Sequence, residues 1–175
     1  MAQNLNIGTM VPGNIEQTNH TSIEKYCYNN DEANCTVYGG LYQWDNMMQW
    51  SASPGAKGIC PTDWHLPTDG EWTLLTTFLG GESVAGGKMK EVGTAHWASP
   101  NLGATNESGF TALPIGYRNS VGNFYDLTAN AFFWTSSQFD ATNAWYRYLG
   151  YNYEGVYRIS SGDKTTGFST RCIHD

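Results

Sequence analysis

Apolar residues recur at helical spacing in the stretch LYQWDNMMQW. They lie three or four positions apart, which predicts a short helix between Gly40 and the SASPG turn. The apolar positions are Leu41, Trp44, Met47 and Met48. A stripe of this kind is typical of a helix that faces the core.

A second helix is indicated by HLPTDGEWTLLTTFLGG, where Thr68 and Glu71 have the spacing of a capping box and two glycines end the pattern. Asp69 adds negative charge to the first turn. We predict a helix over residues 69–79 whose apolar face consists of Trp72, Leu75, Phe78 and Leu79. The following AGGKMKEVG fits either one more helical turn or a loop.

The two ends of the chain have the pattern of short strands broken by turns. The N-terminal part, through IEKYCYNNDEANCTVYGG, is rich in Asn, Thr and Gly and predicts short strands and loops. Beyond Thr94, short apolar segments predict antiparallel strands: GFTALPIGYR, GNFYDL, AFFWTSSQ, AWYRYLGYN, GVYRIS and GFSTRCI. No internal repeat or shift in composition divides the chain. We therefore expect one α+β domain over residues 1–175, with two helices and short antiparallel sheets.

Composition and charge disfavour some classes of binding partner. Only 14% of the residues are charged and the net charge is −7, which disfavours nucleic acid and anionic membranes because phosphate is bound mainly through clustered Lys and Arg. No apolar run approaches the roughly 18 residues of a membrane span, so we expect no membrane insertion by this domain. The start MAQNLNIG lacks the features of an export signal.

Four cysteines without a CxxC pair favour disulfides over a zinc or redox site. The favoured pairing joins Cys27 to Cys35, closing a polar loop, and Cys60 to Cys172, tying the middle of the chain to its end. Three pairings are possible, and four reduced buried thiols are the alternative. Two bridges would indicate an oxidising compartment.

Candidate catalytic groups do not form a recognisable constellation. None of the histidines at positions 20, 65, 96 and 174 lies in an HExxH or GxSxG frame, and no glycine-rich phosphate loop is present. The segment NNDEAN has the oxygen donors of a calcium site but not the EF-hand spacing. We therefore expect no catalytic residues, no metal and no cofactor.

The tract AWYRYLGYNYEGVYRISSGDKTTGFSTRC holds five of the eleven tyrosines, mixed with Gly, Ser and Asn. Tyr supplies contact area at low entropic cost and small polar residues adapt their hydrogen bonds, which is the composition of an antibody-type binding surface. An ordinary β-meander with half-buried tyrosines explains the composition equally well. The residues that suit a strand framework are Trp145, Tyr146, Arg147, Leu149, Val156, Arg158, Gly167, Phe168, Ser169 and Arg171.

Seven motifs occur in order along nearly the whole chain. They are IEKYCYNNDEANCTVYGGLYQWD, GICPTDWHLPTDGEW, GFTALPIGYR, GNFYDL, AFFWTSS, AWYR and GFSTRC. Together they resemble the Fibrobacter succinogenes major paralogous domain family, which is found in surface proteins and lipoproteins of Bacteroidetes. The resemblance implies a C-type lectin-like fold in which a disulfide joins the CP-W segment to the final strand, consistent with Cys60 and Cys172.

Some members of this family are similar to target proteins of diversity-generating retroelements, whose adenine-directed mutagenesis replaces asparagine codons in a C-terminal repeat. The resemblance places such a variable tract at about residues 131–172 and implies that its substituted positions bind the ligand. The candidates are Phe139, Tyr148, Gly150, Asn152, Tyr153, Tyr157, Ile159, Ser160, Ser161, Gly162 and Asp163. Glu154 and Lys164 fit less well, because asparagine codons mutated at adenine do not encode them.

These points predict a non-catalytic receptor or adhesin-type module that binds a protein or glycan on another cell or surface. We expect it outside the cell or at the cell surface, anchored in a lipoprotein or carried on a phage particle. A structural domain of a surface or pilus-like assembly is the first alternative. The second is an oxidase like the formylglycine-generating enzymes, a wider fold relative that needs a dedicated cysteine pair.

Overall fold

The computed structural model describes residues 3–175 and is a mixed α+β structure. Its α-helices are α1 Glu32–Tyr38, α2 Trp44–Met47, α3 Asp69–Phe78 and α4 Glu82–Met89, and a 3-10 helix covers Tyr28–Asn30. Its strands are β1 Thr9–Met10, β2 Glu24–Lys25, β3 Trp64–His65, β4 Tyr117–Arg118, β5 Phe124–Tyr125, β6 Asn130–Gln138, β7 Asn143–Gly150, β8 Tyr157–Asp163 and β9 Ile173–His174. No helix in this range is long and apolar enough to cross a membrane.

Both predicted helices are present. The capping box of α3 is formed: the Thr68 hydroxyl accepts from the Glu71 amide at 3.1 Å, and the Glu71 carboxylate accepts from the Thr68 amide at 2.8 Å. The expected apolar face of α3 is partly wrong, because Phe78 is 87% exposed while Trp72 and Leu79 are buried. The short run of apolar residues at 41–50 yields a single helical turn, α2.

The expected number of two helices is wrong, because α1 and α4 are helices as well. Helix α1 has no apolar stripe, which is why hydrophobic spacing did not reveal it. Its N-cap is Asp31, whose carboxylate accepts from the Ala33 amide, and Cys35 is its buried residue. Helix α4 comprises eight residues, more than the single turn that AGGKMKEVG allowed.

The main sheet is antiparallel and has the strand order β6-β7-β8. Strands β3 and β9 form an antiparallel pair next to the second disulfide, and β4 pairs with β5 in the same sense. The expectation of antiparallel sheets is wrong for β1 and β2, which pair in parallel over two residues. The segment GFTALP forms no strand and contributes an isolated bridge from Ala112 to Lys90.

The main sheet lies between two hydrophobic clusters, because both of its faces carry apolar residues. On one face Phe132 and Trp134 join the cluster that includes Trp44, Met47 and Phe168. On the other, the cluster contains Ala131, Phe133, Leu149, Trp72, Leu79 and Trp97. The indole N–H of Trp134 donates to the Tyr42 carbonyl at 2.8 Å, so this buried donor is satisfied.

Both favoured disulfides are formed, Cys27–Cys35 and Cys60–Cys172. The second spans a sequence separation of 112 and fixes the segment before β3 to the end of the chain. Two such bonds indicate an oxidising environment of the kind found outside the cytoplasm.

Candidate ligand-binding surface

The alternation of side chains in β7 assigns neighbouring residues to opposite faces of the main sheet. Tyr146 and Tyr148 share one face, and Arg147 lies on the other. Across the β6–β7 ladder, Tyr148 is opposite Phe132 and Tyr146 is opposite Trp134. Tyr146 and Tyr148 therefore continue an aromatic surface that the neighbouring strand already carries.

The rings on this face are in contact with one another. Tyr148 is stacked between Phe132 and Tyr157, with centroid distances of 5.5 Å and 4.7 Å. Tyr153 meets Tyr157 edge-on at 4.8 Å. Burial raises the pKa of Tyr146 and of Tyr153 above the ordinary phenol value, so these rings remain neutral around neutral pH.

A groove of about 450 Å³ opens on this aromatic face, and we call it the aromatic groove. Its rings come from β4, β6, β7 and the segment after β8, and its polar groups come mainly from residues 126–130 and 161–166. The lining residues are Tyr117, Asp126, Asn130, Phe132, Tyr146, Tyr148, Ser161, Gly162, Asp163, Thr166 and Phe168. Concave sites with aromatic walls and a few polar groups are typical of ligand-binding sites.

The opposite face of the sheet is fixed by an ion-pair cluster around the buried Arg147. Arg147 is fully buried, and its Nη1 lies 2.7 Å from Oδ1 of Asp69 at the start of α3. Arg158 lies 2.6 Å from the other oxygen of Asp69 and stacks over Trp145 at 3.8 Å. Burial alone would raise the pKa of Asp69, but the hydrogen bonds from Arg158 and Arg147 outweigh it and lower the pKa.

A buried lysine holds the turn between β7 and β8. Lys90 Nζ donates to the carbonyls of Leu102, Gly150 and Tyr153 at 2.8 to 2.9 Å. Burial lowers the pKa of Lys90 to about 8, an effect that Glu154 opposes. All three contacts are to main-chain oxygens, so they do not depend on the side chains of the turn.

The structure brings together only part of the predicted ligand set. Tyr148, Ser161, Gly162 and Asp163 line the aromatic groove, and Tyr157 extends it by stacking on Tyr148. Ile159 is opposite Tyr146 on the same face. The predicted positions Asn152 and Tyr153 lie in the β7–β8 turn, and Ser160 lies at the irregular step in β8.

Phe139 does not join this group. It is 56% exposed and packs edge-on against Trp145 at 5.6 Å, beyond the other end of β7. Because Trp145 belongs to the face that carries Arg158, Phe139 lies apart from the aromatic groove. Any ligand contact by Phe139 would belong to a separate surface.

Two predicted positions are buried glycines that present no side chain to a ligand. A Cβ at Gly162 would lie 2.7 Å from both Trp134 and Tyr146, closer than real Cβ atoms approach. A Cβ at Gly150 would lie 2.3 Å from the ring of Tyr153. We therefore assign Gly150 and Gly162 to the framework.

Several groove residues were missed or classed as framework. Tyr146 and Phe168 were counted among the strand framework, yet both line the groove. Tyr117, Asp126 and Asn130 precede the tract in sequence and line the groove through tertiary packing. The two-residue spacing of Tyr146 and Tyr148 was the available signal for one shared face.

Two other sites, a cavity and a histidine with two carboxylate partners, are formed by residues distant in sequence from most of the predicted ligand-binding residues. An apolar cavity of about 360 Å³ is lined by Trp64, Trp72, Leu75 and Ile173 among others. Beside it His65 is bound between Asp175 at 2.6 Å and Glu71 at 2.9 Å, and the Asp175 hydrogen bond is the main cause that raises the His65 pKa. In residues 3–175 no group of three or more potential ligands could hold a metal ion.

Comparison with known proteins identifies one family. A family model described as Fibrobacter succinogenes major domain matches residues 1–174. No curated protein and no solved structure matches the chain.

Proposed function

The chain belongs to the Fibrobacter succinogenes major domain family, and from this membership we propose that it is a non-catalytic binding module with a C-type lectin-like fold. In this proposal the aromatic groove is the ligand-binding site and the ligand is a protein or glycan on another cell or surface. The module works outside the cytoplasm, at a bacterial cell surface or on a phage particle.

One observation carries the proposal: exposed residues of the tract line a groove while a separate set of buried residues holds the sheet. Ser161 and Asp163 are exposed at the groove, whereas Arg147 is buried and bound to Asp69 on the opposite face. Changes at the exposed positions therefore leave the buried contacts in place. This arrangement suits a surface whose ligand specificity changes as its exposed residues change. We propose that the tract is diversified by a retroelement.

An oxidase of the formylglycine-generating type is disfavoured by the cysteines. All four are engaged in the two disulfides, and none is free in the described chain. The dedicated thiol pair that such an enzyme requires is therefore not available in this form of the protein.

The alternative of a structural assembly has one specific observation in its favour. Leu74 and Phe78 are 72% and 87% exposed and lie four residues apart on α3, so they form an apolar pair on the surface. This pair lies on a helix that packs against the other face of the main sheet. Packing through α3 would leave the aromatic groove accessible, so the two functions are compatible in space.

Blocking the groove is expected to abolish binding and preserve the fold. Ser161→Trp places a large side chain at the exposed rim of the groove. We predict that it lowers the binding affinity for every ligand found on glycan and surface-protein arrays by tenfold or more. That loss corresponds to about 1.4 kcal/mol of binding free energy. Affinity is measured by biolayer interferometry, and the melting temperature is measured in parallel.

Thr77→Trp is the matched control, because Thr77 is exposed on α3, away from the groove. It should retain the affinity of the original chain. If ligands bind Ser161→Trp as tightly as the control, the groove is not their binding site and the proposal is wrong.

A further inference from the structure

The charged side chains that line the aromatic groove are acidic. Asp126 and Asp163 both line it, and no Lys, Arg or His side chain among the described residues does so. Because the net charge of the chain is −7, the surrounding field has the same sign. This inference rests on the proposed binding function and specifies the ligand.

The basic residues of the sheet region are already bound elsewhere. Arg147 and Arg158 pair with Asp69 on the opposite face. Lys164 Nζ donates to main-chain oxygens of the β6–β7 turn, and buried Arg118 donates to the Gly13 carbonyl. None of these cations neutralises the groove by direct contact with its two carboxylates.

Each groove carboxylate has one oxygen without a hydrogen-bond partner in the described residues. Asp163 Oδ1 accepts from the amide and hydroxyl of Thr165, which leaves Oδ2. Asp126 Oδ2 accepts from the Asn130 side chain, which leaves Oδ1. Both aspartates are exposed, so these oxygens are accessible to a ligand.

The aromatic lining complements these acceptors. The faces of Tyr and Phe rings attract cations, and a planar guanidinium stacks on them while it donates hydrogen bonds to a carboxylate. The protein contains this combination on the other face of the same sheet. There Arg158 stacks over Trp145 at 3.8 Å while it is bound to Asp69 at 2.6 Å.

We propose that the aromatic groove binds an arginine side chain of a protein partner. The guanidinium stacks against Tyr117 or Tyr146, whose ring contacts within the described residues are tilted or edge-on, and donates to Asp163 or Asp126. The groove thus offers an incoming arginine the same two kinds of contact that Arg158 makes within the fold.

The test compares arginine with citrulline, a neutral group of nearly the same shape. The probes are the peptides acetyl-Gly-Gly-Arg-Gly-Gly-amide, its citrulline analogue and its lysine analogue, titrated against the full chain and followed by the ring resonances of Tyr146 and Tyr148. The arginine peptide is expected to bind at least about tenfold more tightly than the citrulline peptide. Its affinity should fall as salt is added, because the two groove carboxylates are exposed.

The double substitution Asp126→Asn and Asp163→Asn should reduce arginine binding to the citrulline level. Asparagine keeps an oxygen that can accept from Thr165, so the turn is retained. The control Glu107→Gln removes one exposed carboxylate away from the groove and should leave the affinity unchanged. Near-UV circular dichroism verifies the fold of each variant, and the salt dependence of the unchanged chain provides a measurement that needs no variant.

Equal binding of the arginine and citrulline peptides would overturn the inference while leaving the groove as a binding site. Tighter binding of the lysine peptide would overturn the assignment to arginine. If no peptide shifts the tyrosine resonances, the inference is also wrong. The array experiment with Ser161→Trp then decides the proposed function independently.

Discussion

Replacing Asp69 with asparagine is expected to lower the free energy of unfolding by about 3–5 kcal/mol. Asp69 is the shared partner of Arg147 and Arg158, and Arg147 is fully buried. Asparagine preserves the shape of the side chain but removes the charge, so Arg147 keeps its burial without a counter-ion. Urea denaturation at neutral pH measures the loss.

The same ion-pair cluster predicts a pH dependence. The pKa of Asp69 in the folded state is below its ordinary value of 3.8, so its charged form stabilises the fold at higher pH. This contribution is present above the unfolded pKa and is lost as the pH falls through the folded pKa. Between pH 5 and pH 3 the original chain should therefore lose more stability than Asp69→Asn.

Glu107→Gln is the matched control for charge removal. Glu107 pairs with Lys88 at 3.3 Å, and both side chains are substantially exposed. Its substitution should cost less than about 1 kcal/mol. If Asp69→Asn costs no more than this control, the cluster does not hold the sheet to α3.

Removing the Cys60–Cys172 bridge is expected to lower the free energy of unfolding more than removing the Cys27–Cys35 bridge. In the chain-entropy model a bridge with a separation of 112 contributes about 5 kcal/mol, whereas one with a separation of 8 contributes about 2.5 kcal/mol. The long bridge also stands beside the β3–β9 pair, which joins the middle of the chain to its end. Its loss therefore removes the constraint on the longer of the two loops in the unfolded chain.

The experiment replaces each pair of cysteines with alanine and measures the free energy of unfolding in urea. The double variant at Cys60 and Cys172 should lose about twice as much stability as the double variant at Cys27 and Cys35. An equal loss in the two variants would show that loop length does not determine the contribution of these bonds.

Local signals made the clearest parts of the fold predictable. Helix α3 was found because its capping box and terminal glycines act within a few residues of the chain. The spacing of Phe78 relative to Trp72 and Leu79 predicts a core position, but the neighbouring elements do not cover its side chain. Helical spacing shows which residues share a face and does not show how wide the covered part of that face is.

Helix α1 escaped prediction for a different reason. Its residues EANCTVY have little apolar periodicity, so burial of one face could not be detected in the sequence. The Asp31 cap and the bond from Cys35 to Cys27 fix it instead. The cap and the disulfide together outweigh the weak local propensity.

The binding surface was predictable by region and not by individual position. Simple alternation along β8 would place Gly162 on the face opposite Tyr157 and Ile159. A shift in register between Ala144 and Tyr146 instead brings Gly162 opposite Ala144, on the aromatic face. An irregular step of this kind reverses the expected face at Gly162 and leaves no clear signature in the sequence.

The central claim is that the tract contains one set of residues that holds the fold and another that varies with the ligand. The most direct measurement is to sequence the DNA that adjoins the gene. The account predicts a near-copy of the segment coding for residues 131–172, beside a reverse transcriptase gene and differing only at adenines. The differing codons should include those of Tyr157, Ser161 or Asp163 and spare those of Arg147 and Gly162. Absence of such a copy, or differences concentrated at the buried codons, would contradict it.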